Sequence, residues 1–166
     1  MSLFHAVLGL VVLQRLAELV LAARNTSRLR AEGAFELDAR GYPAFVLLHG
    51  GWLLSLALFV PATAPPSWPL LALYAVLQLG RVWVIASLGR HWTTRLIVLP
   101  GAPLVNRGPY RFVRHPNYLI VAAEIAVLPL AFGAVAIAIV FSVANLLLVI
   151  RRIAIEERAL APRRQA

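Results

Sequence analysis

The chain has 166 residues, 61% of them hydrophobic, and a mean hydropathy of +0.80. A soluble domain of this size is nearer half apolar, so this composition excludes a soluble fold and points to the membrane. The formal net charge is +9, cysteine is absent, and all 16 basic residues are arginine, which excludes disulfides, thiolate metal sites and cysteine nucleophiles.

A stretch of about 20 apolar residues suffices to cross a hydrocarbon layer roughly 30 Å thick. In chain order, such stretches lie near 3–23, 44–62 and 69–88, followed by an unbroken apolar run over 117–150. The first is too long and too polar for a cleaved signal peptide, and no small-residue cleavage site follows it. Arginine marks alternate connections. Met1 to Phe4 carry no charged side chain; the next loop holds Arg24, Arg28, Arg30 and Arg40. "PATAPPSWP" (61–69) is uncharged, whereas 89–116 holds Arg90, Arg95, Arg107, Arg111 and Arg114. The tail adds Arg151, Arg152, Arg158, Arg163 and Arg164. The positive-inside rule therefore puts the N-terminus outside and the C-terminus in the cytoplasm, and it accounts for the charge better than nucleic acid does.

One helix over 117–150 would be about 51 Å long and would leave its arginine-rich ends on opposite sides. A helical hairpin turning in "LPLAFG" (128–133), at Pro129 and Gly133, removes both difficulties and gives legs of about 24 Å. The expected architecture is an all-α integral membrane protein of five transmembrane helices, about 3–23, 44–62, 69–88, 116–131 and 134–158, in one domain over 1–166. The segment before the hairpin reads as a small hairpin or a pair of extended pieces on the cytoplasmic surface. The arginine-only basic set and the Ala and Leu richness suggest a GC-rich bacterial genome, and hence the bacterial inner membrane.

Ionisable residues within spans are costly and default to a functional hypothesis. Arg15 and Glu18, spaced i, i+3, can pair on one helix face. Arg81, late in its span, is open either to snorkelling toward the cytoplasm or to holding an anion. Glu124 has no local cation, and its expected partner is Arg81 or Arg15 from another helix; either residue is a candidate for a substrate or a structural role. His5 and His49 read as packing residues. No metal-ligand spacing, nucleophile elbow or GxGxxG pattern occurs, so neither a metal nor a Rossmann-type cofactor site is expected.

In "RHPNY" (114–118), Pro116 suits the first position of a helix, just after His115. A helix start at the membrane surface, with Arg111 and Arg114 beside it, suits an anion such as a carboxylate or phosphate. The hairpin returns the chain to the same surface, where "RRIAIEERAL" (151–160) presents Arg152 and Glu156 at i, i+4, with Glu157 next. Taken together, these features suit a zwitterion carrying a carboxylate and an ammonium.

"GPYRFVRHPNY" (108–118), followed about 40 residues on by "EER" (156–158), resembles the isoprenylcysteine carboxyl methyltransferase family. "QRLAEL" and "GRHWTTRLIVLPGAPLVNRGPYR" resemble its small bacterial members, some of which are linked to O-methylation of polyketide lipids. The resemblance implies S-adenosylmethionine as cofactor. By carry-over it assigns His115, Tyr118 and the backbone at Pro116 to the methionine end, Tyr110 to the cofactor site, and Glu156 and Glu157 to the amino group or ribose. It implies catalytic arginines at Arg114 and at one of Arg151 and Arg152. It also implies a shorter lid, since "APRRQA" replaces the family's aromatic-containing tail.

The expected reaction is methyl transfer to a lipophilic acceptor from the bilayer, either a lipid hydroxyl or pyrone or a prenylcysteine carboxylate. A hydroxyl needs a base, for which His91 and His115 are the candidates. The rival readings are N-methylation of a phospholipid headgroup and a non-catalytic membrane scaffold.

Overall fold

The computed structural model describes residues 2–103 and 105–160. Five α-helices carry the fold: α1 (Leu3–Ala31), α2 (Tyr42–Phe59), α3 (Trp68–Leu88), α4 (Pro116–Ala131) and α5 (Val135–Leu160). Four of them, all but α4, are long and apolar enough to cross a membrane. At 16 residues α4 is about 24 Å long, the shortest of the five. Helix α1 continues past position 23 because "RNTSRLRA" contains no proline or glycine to stop it, and its end is at the C-cap residue Glu32.

The ends of the helices follow local chemistry. The Ser2 hydroxyl caps α1 by accepting from the His5 amide. Prolines open α2, α3 and α4 within their first two positions, where no intrahelical donor is lost. Between α4 and α5, Pro129 accepts the amides of Phe132 and Ala134 at its carbonyl, and Gly133 turns the chain at φ +73°. This closes an antiparallel hairpin whose first leg packs against both α3 and α5.

The apolar core lies at the hairpin-turn end. Phe4 and Leu8 of α1, Trp52 and Leu56 of α2, Tyr74 of α3, and Leu128 and Phe132 of the hairpin are all buried there. Phe4 and Phe132 meet edge to face at 5.0 Å between centroids. The opposite, arginine-rich end is therefore free to be polar.

At that end the segment before α4 holds a short extended piece whose strand partner lies outside the segment. A two-residue strand β2 (Ile97–Val98) pairs antiparallel with β1 (Phe35–Glu36), which lies in the loop after α1. Glu36 sits between Arg30 and Arg95, with ion pairs of 2.6 and 2.9 Å. Charge complementarity between two loops thus selects the strand partner. Asn25 donates to the carbonyls of Trp92 (2.8 Å) and Gly89 (3.1 Å), so the segment is tied to α1 as well.

Candidate functional site

The five helices contribute to two polar assemblies, one within the bundle and one at its arginine-rich end. In the inner one, Arg81 does not snorkel. Its Nε and Nη2 donate to both oxygens of Glu18 (2.6 and 2.8 Å), and Nη1 donates to Glu124 Oε2 (2.8 Å). Two carboxylates on neighbouring helices hold its guanidinium more strongly than distant headgroups could. Arg15 bridges the same acids, at 2.9 Å to Glu18 and 2.8 Å to Glu124. Gln14 and Gln78 supply one further donor to each. Two arginines balance two glutamates, and every carboxylate oxygen is taken.

The outer assembly begins at the Gly108–Arg111 turn. Gly108 has φ +57°, and a Cβ there would run into the Ser87 side chain, so this turn can lie flat on the end of α3 only with glycine. Arg107 clamps it by donating from Nε to the Ser87 carbonyl at 2.7 Å. Burial, with the Glu156 carboxylate adding to it, pushes the Tyr110 phenol above its ordinary pKa, so it stays protonated.

The turn delivers His115 to the start of α4, where Pro116 opens the helix. His115 Nε2 lies 2.8 Å from Glu157 Oε1, and its Nδ1 lies 3.7 Å from Glu156 Oε2. Tyr118 donates its hydroxyl to Glu156 Oε2 at 2.7 Å, and its ring stacks on that of His115. Arg152 donates from Nε to the Tyr118 oxygen (3.1 Å) and from Nη2 to the Thr94 carbonyl (2.9 Å), with its guanidinium 5.0 Å over the Phe45 ring. Thr94 is in turn within 3.2 Å of the Tyr42 hydroxyl. The start of α4, the end of α5 and the 92–95 segment therefore meet around one spot.

Beside that spot is a cavity of about 440 Å³, within the roughly 300–1,000 Å³ range of small-molecule sites. Tyr110, Arg114, His115, Tyr118, Arg152, Glu156 and His91 all line it, and its inner end reaches Arg15, Glu18 and Arg81. Arg151 is placed differently. It is 51% exposed and forms a bidentate pair with Asp38 at 2.8 and 2.9 Å, away from the cavity wall. Pro116 is buried at the helix start, Glu157 reaches the site through His115, and Glu124 is shut inside the inner network. The "APRRQA" tail lies outside the described residues.

Several contributors carried no sequence signal that singled them out. Thr94 acts through its carbonyl, and Phe45 through a ring face on another helix. Asn145 did carry one, as a lone amide in an apolar run, and it lines the cavity with His49. Among the described residues no cluster of three or more His, Asp or Glu could hold a metal ion.

The chain is 35% identical over 162 residues to the uncharacterized protein YpbQ of Bacillus subtilis (strain 168), covering 95% of this chain and 96% of that one. No solved structure matches it. The sequence model of the isoprenylcysteine carboxyl methyltransferase family matches residues 70–162, which include the turn, the RHPNY helix start and the Glu pair. The chain therefore belongs to the isoprenylcysteine carboxyl methyltransferase family of membrane methyltransferases.

Proposed function

We propose that this protein is an S-adenosylmethionine-dependent O-methyltransferase acting on a lipophilic acceptor drawn from the bilayer. The observation that carries the reading is the meeting of His115 and Tyr118 with Glu156 and Glu157 on the rim of the cavity. The cofactor's amino acid end is a zwitterion, and this rim combines acidic acceptors with a cationic helix start, which is the donor and acceptor set such a group requires. Tyr110, His115, Tyr118 and the backbone at Pro116 take the carboxylate side. Glu156 and Glu157 take the ammonium or ribose hydroxyls, exchanging their present bonds to Tyr118 and His115 for bonds to the ligand.

When bound there, the cofactor supplies an electrophilic methyl group on a sulfonium. The chain's own part is positioning and exclusion of water. Arg114 and Arg152 orient the acceptor oxygen from the cavity wall, and His91, on the same wall, is the base for an acceptor hydroxyl presented near it. Arg151, held by Asp38, fastens α5 to the loop after α1 instead. The acceptor comes in between α1 and α2, where Leu16, Leu19 and Val46 line the cavity yet remain exposed on the lipid side. In this reading all five helices cross the inner membrane, with the N-terminus outside and the arginine-rich end in the cytoplasm.

The test is methyl transfer in membranes carrying the protein, using cofactor tritiated on its methyl group. The expected result is label in solvent-extractable lipid, lost in His115→Ala. Label released by mild base marks a carboxyl ester, and base-stable label on an oxygen marks an ether. Label on a headgroup amine would replace the reading with phospholipid N-methylation, and no labelled lipid would overturn it.

A further inference from the structure

The inner half of the cavity carries polar groups that the cofactor rim does not use. Asn145 on α5 is 1% exposed, and neither its Oδ1 nor its Nδ2 has a partner among the described residues. A buried primary amide with all its hydrogen-bonding capacity unmet is rare, because each unmet group forfeits the bonds it had with water. This amide also lines the cavity, where a ligand can supply the missing partners.

The helix register fixes its depth. Asn145, Val149, Arg152 and Glu156 are spaced 4, 3 and 4 residues apart and all line the cavity, so they form one stripe along α5. Asn145 lies seven residues from Arg152, about 10 Å farther from the cofactor rim. On α2, which runs in the opposite direction, His49 lies one turn beyond Phe45, the residue whose ring packs under Arg152. That puts His49 about 6 Å deeper than Arg152, between it and Asn145.

The protonation of His49 follows from its one hydrogen bond among the described residues, from Nδ1 to the Phe45 carbonyl at 2.9 Å. A carbonyl can only accept, so Nδ1 carries the hydrogen, and in the neutral ring Nε2 keeps its lone pair. The inner chamber therefore offers two acceptors, His49 Nε2 and Asn145 Oδ1. It also offers donors at Asn145 Nδ2 and at the unpartnered Nε of Arg15. The nearby ions add no net charge, because Arg15 and Arg81 are matched by Glu18 and Glu124.

The geometry points to His49 and Asn145 as the acceptor-recognition subsite, selecting a lipid whose head is an uncharged hydroxyl compound. This rests on the proposed function and narrows its acceptor. The head donates its O–H to His49 Nε2 or Asn145 Oδ1 and accepts from Asn145 Nδ2, while its tail leaves between α1 and α2. A carboxylate would satisfy the donors but turn its lone pairs on the two acceptors.

The probes are 3-pentadecylphenol, its methyl ether and palmitate, titrated by calorimetry into the full-length protein in lipid nanodiscs. S-adenosylhomocysteine is titrated separately. The phenol is expected to bind at least about tenfold more tightly than the ether or palmitate, the scale of one lost hydrogen bond beside a buried partner. Asn145→Leu, close in volume, and His49→Phe each weaken the phenol about tenfold while leaving S-adenosylhomocysteine affinity unchanged. Equal binding of palmitate, no binding of the phenol, or an Asn145→Leu protein that binds it as wild type does would overturn the subsite. Failure of the wild type to bind S-adenosylhomocysteine would instead strike the proposed function.

Discussion

The molecule contains two pairs of glutamates held in opposite ways. Glu18 and Glu124 are buried and saturated, each receiving both arginines and a glutamine. Glu156 and Glu157 are partly open: Tyr118 donates its hydroxyl to Glu156, and His115 Nε2 lies 2.8 Å from Glu157. A closed, neutral network in a low-dielectric setting is costly to disturb, and its carboxylates have no oxygen left for a ligand. A carboxylate held by a neutral hydroxyl can exchange that bond for an ammonium at a gain. The first pair fastens α1, α3 and α4 together, whereas Glu156 of the second lines the cavity.

The largest effect should come from breaking the closed pair. Glu124→Gln leaves two arginines against one carboxylate, and about 3–5 kcal/mol of stability should be lost, read as a fall in the unfolding midpoint in detergent. A midpoint close to wild type would mean that water or lipid headgroups reach the network. Glu156→Gln should act the other way round. It should retain the fold, because the amide oxygen still accepts from Tyr118, but weaken S-adenosylhomocysteine by about 1.5–3 kcal/mol, the worth of a charged hydrogen bond.

Between these in character is Gly108→Ala, which forces a side chain into a left-handed conformation against Ser87. It should cost about 1–3 kcal/mol and, by lifting the turn from α3, lower cofactor affinity as well. The smallest effect is expected from Asp38→Asn. Its partner Arg151 is half exposed, so stability should change by about 0–1 kcal/mol and cofactor affinity should not change. A large loss of transfer in Asp38→Asn would return Arg151 to the catalytic candidates.

What could be read from the sequence follows from the range of each signal. Hydrophobic runs and their proline and glycine stops are local, so the helices and the hairpin turn at Pro129 and Gly133 were legible. The RHPNY helix start and the Glu pair were legible as a motif. The pairing of β1 with β2 was not, because two-residue strands have no period and their partners lie about 60 residues apart. The choice between Arg151 and Arg152 was equally hidden: adjacent helical residues point about 100° apart, and only packing decides which faces the cavity. Arg81 had two open fates in the sequence because its partners come from α1 and α4. His49 reads as packing and Asn145 as one polar residue in an apolar run, because an unmet hydrogen bond exists only once the surrounding helices are in place.

The central claim is that the start of α4 and the end of α5 together form the cofactor site. It is tested most directly by calorimetric titration of S-adenosylhomocysteine into the detergent-purified protein, with His115→Ala and Glu156→Ala beside it. Saturable binding by the wild type, weakened at least about tenfold in each variant while the unfolding midpoint is retained, is the predicted result. A well-folded wild type that binds nothing, or variants that bind as the wild type does, would contradict the account and favour a scaffold over an enzyme.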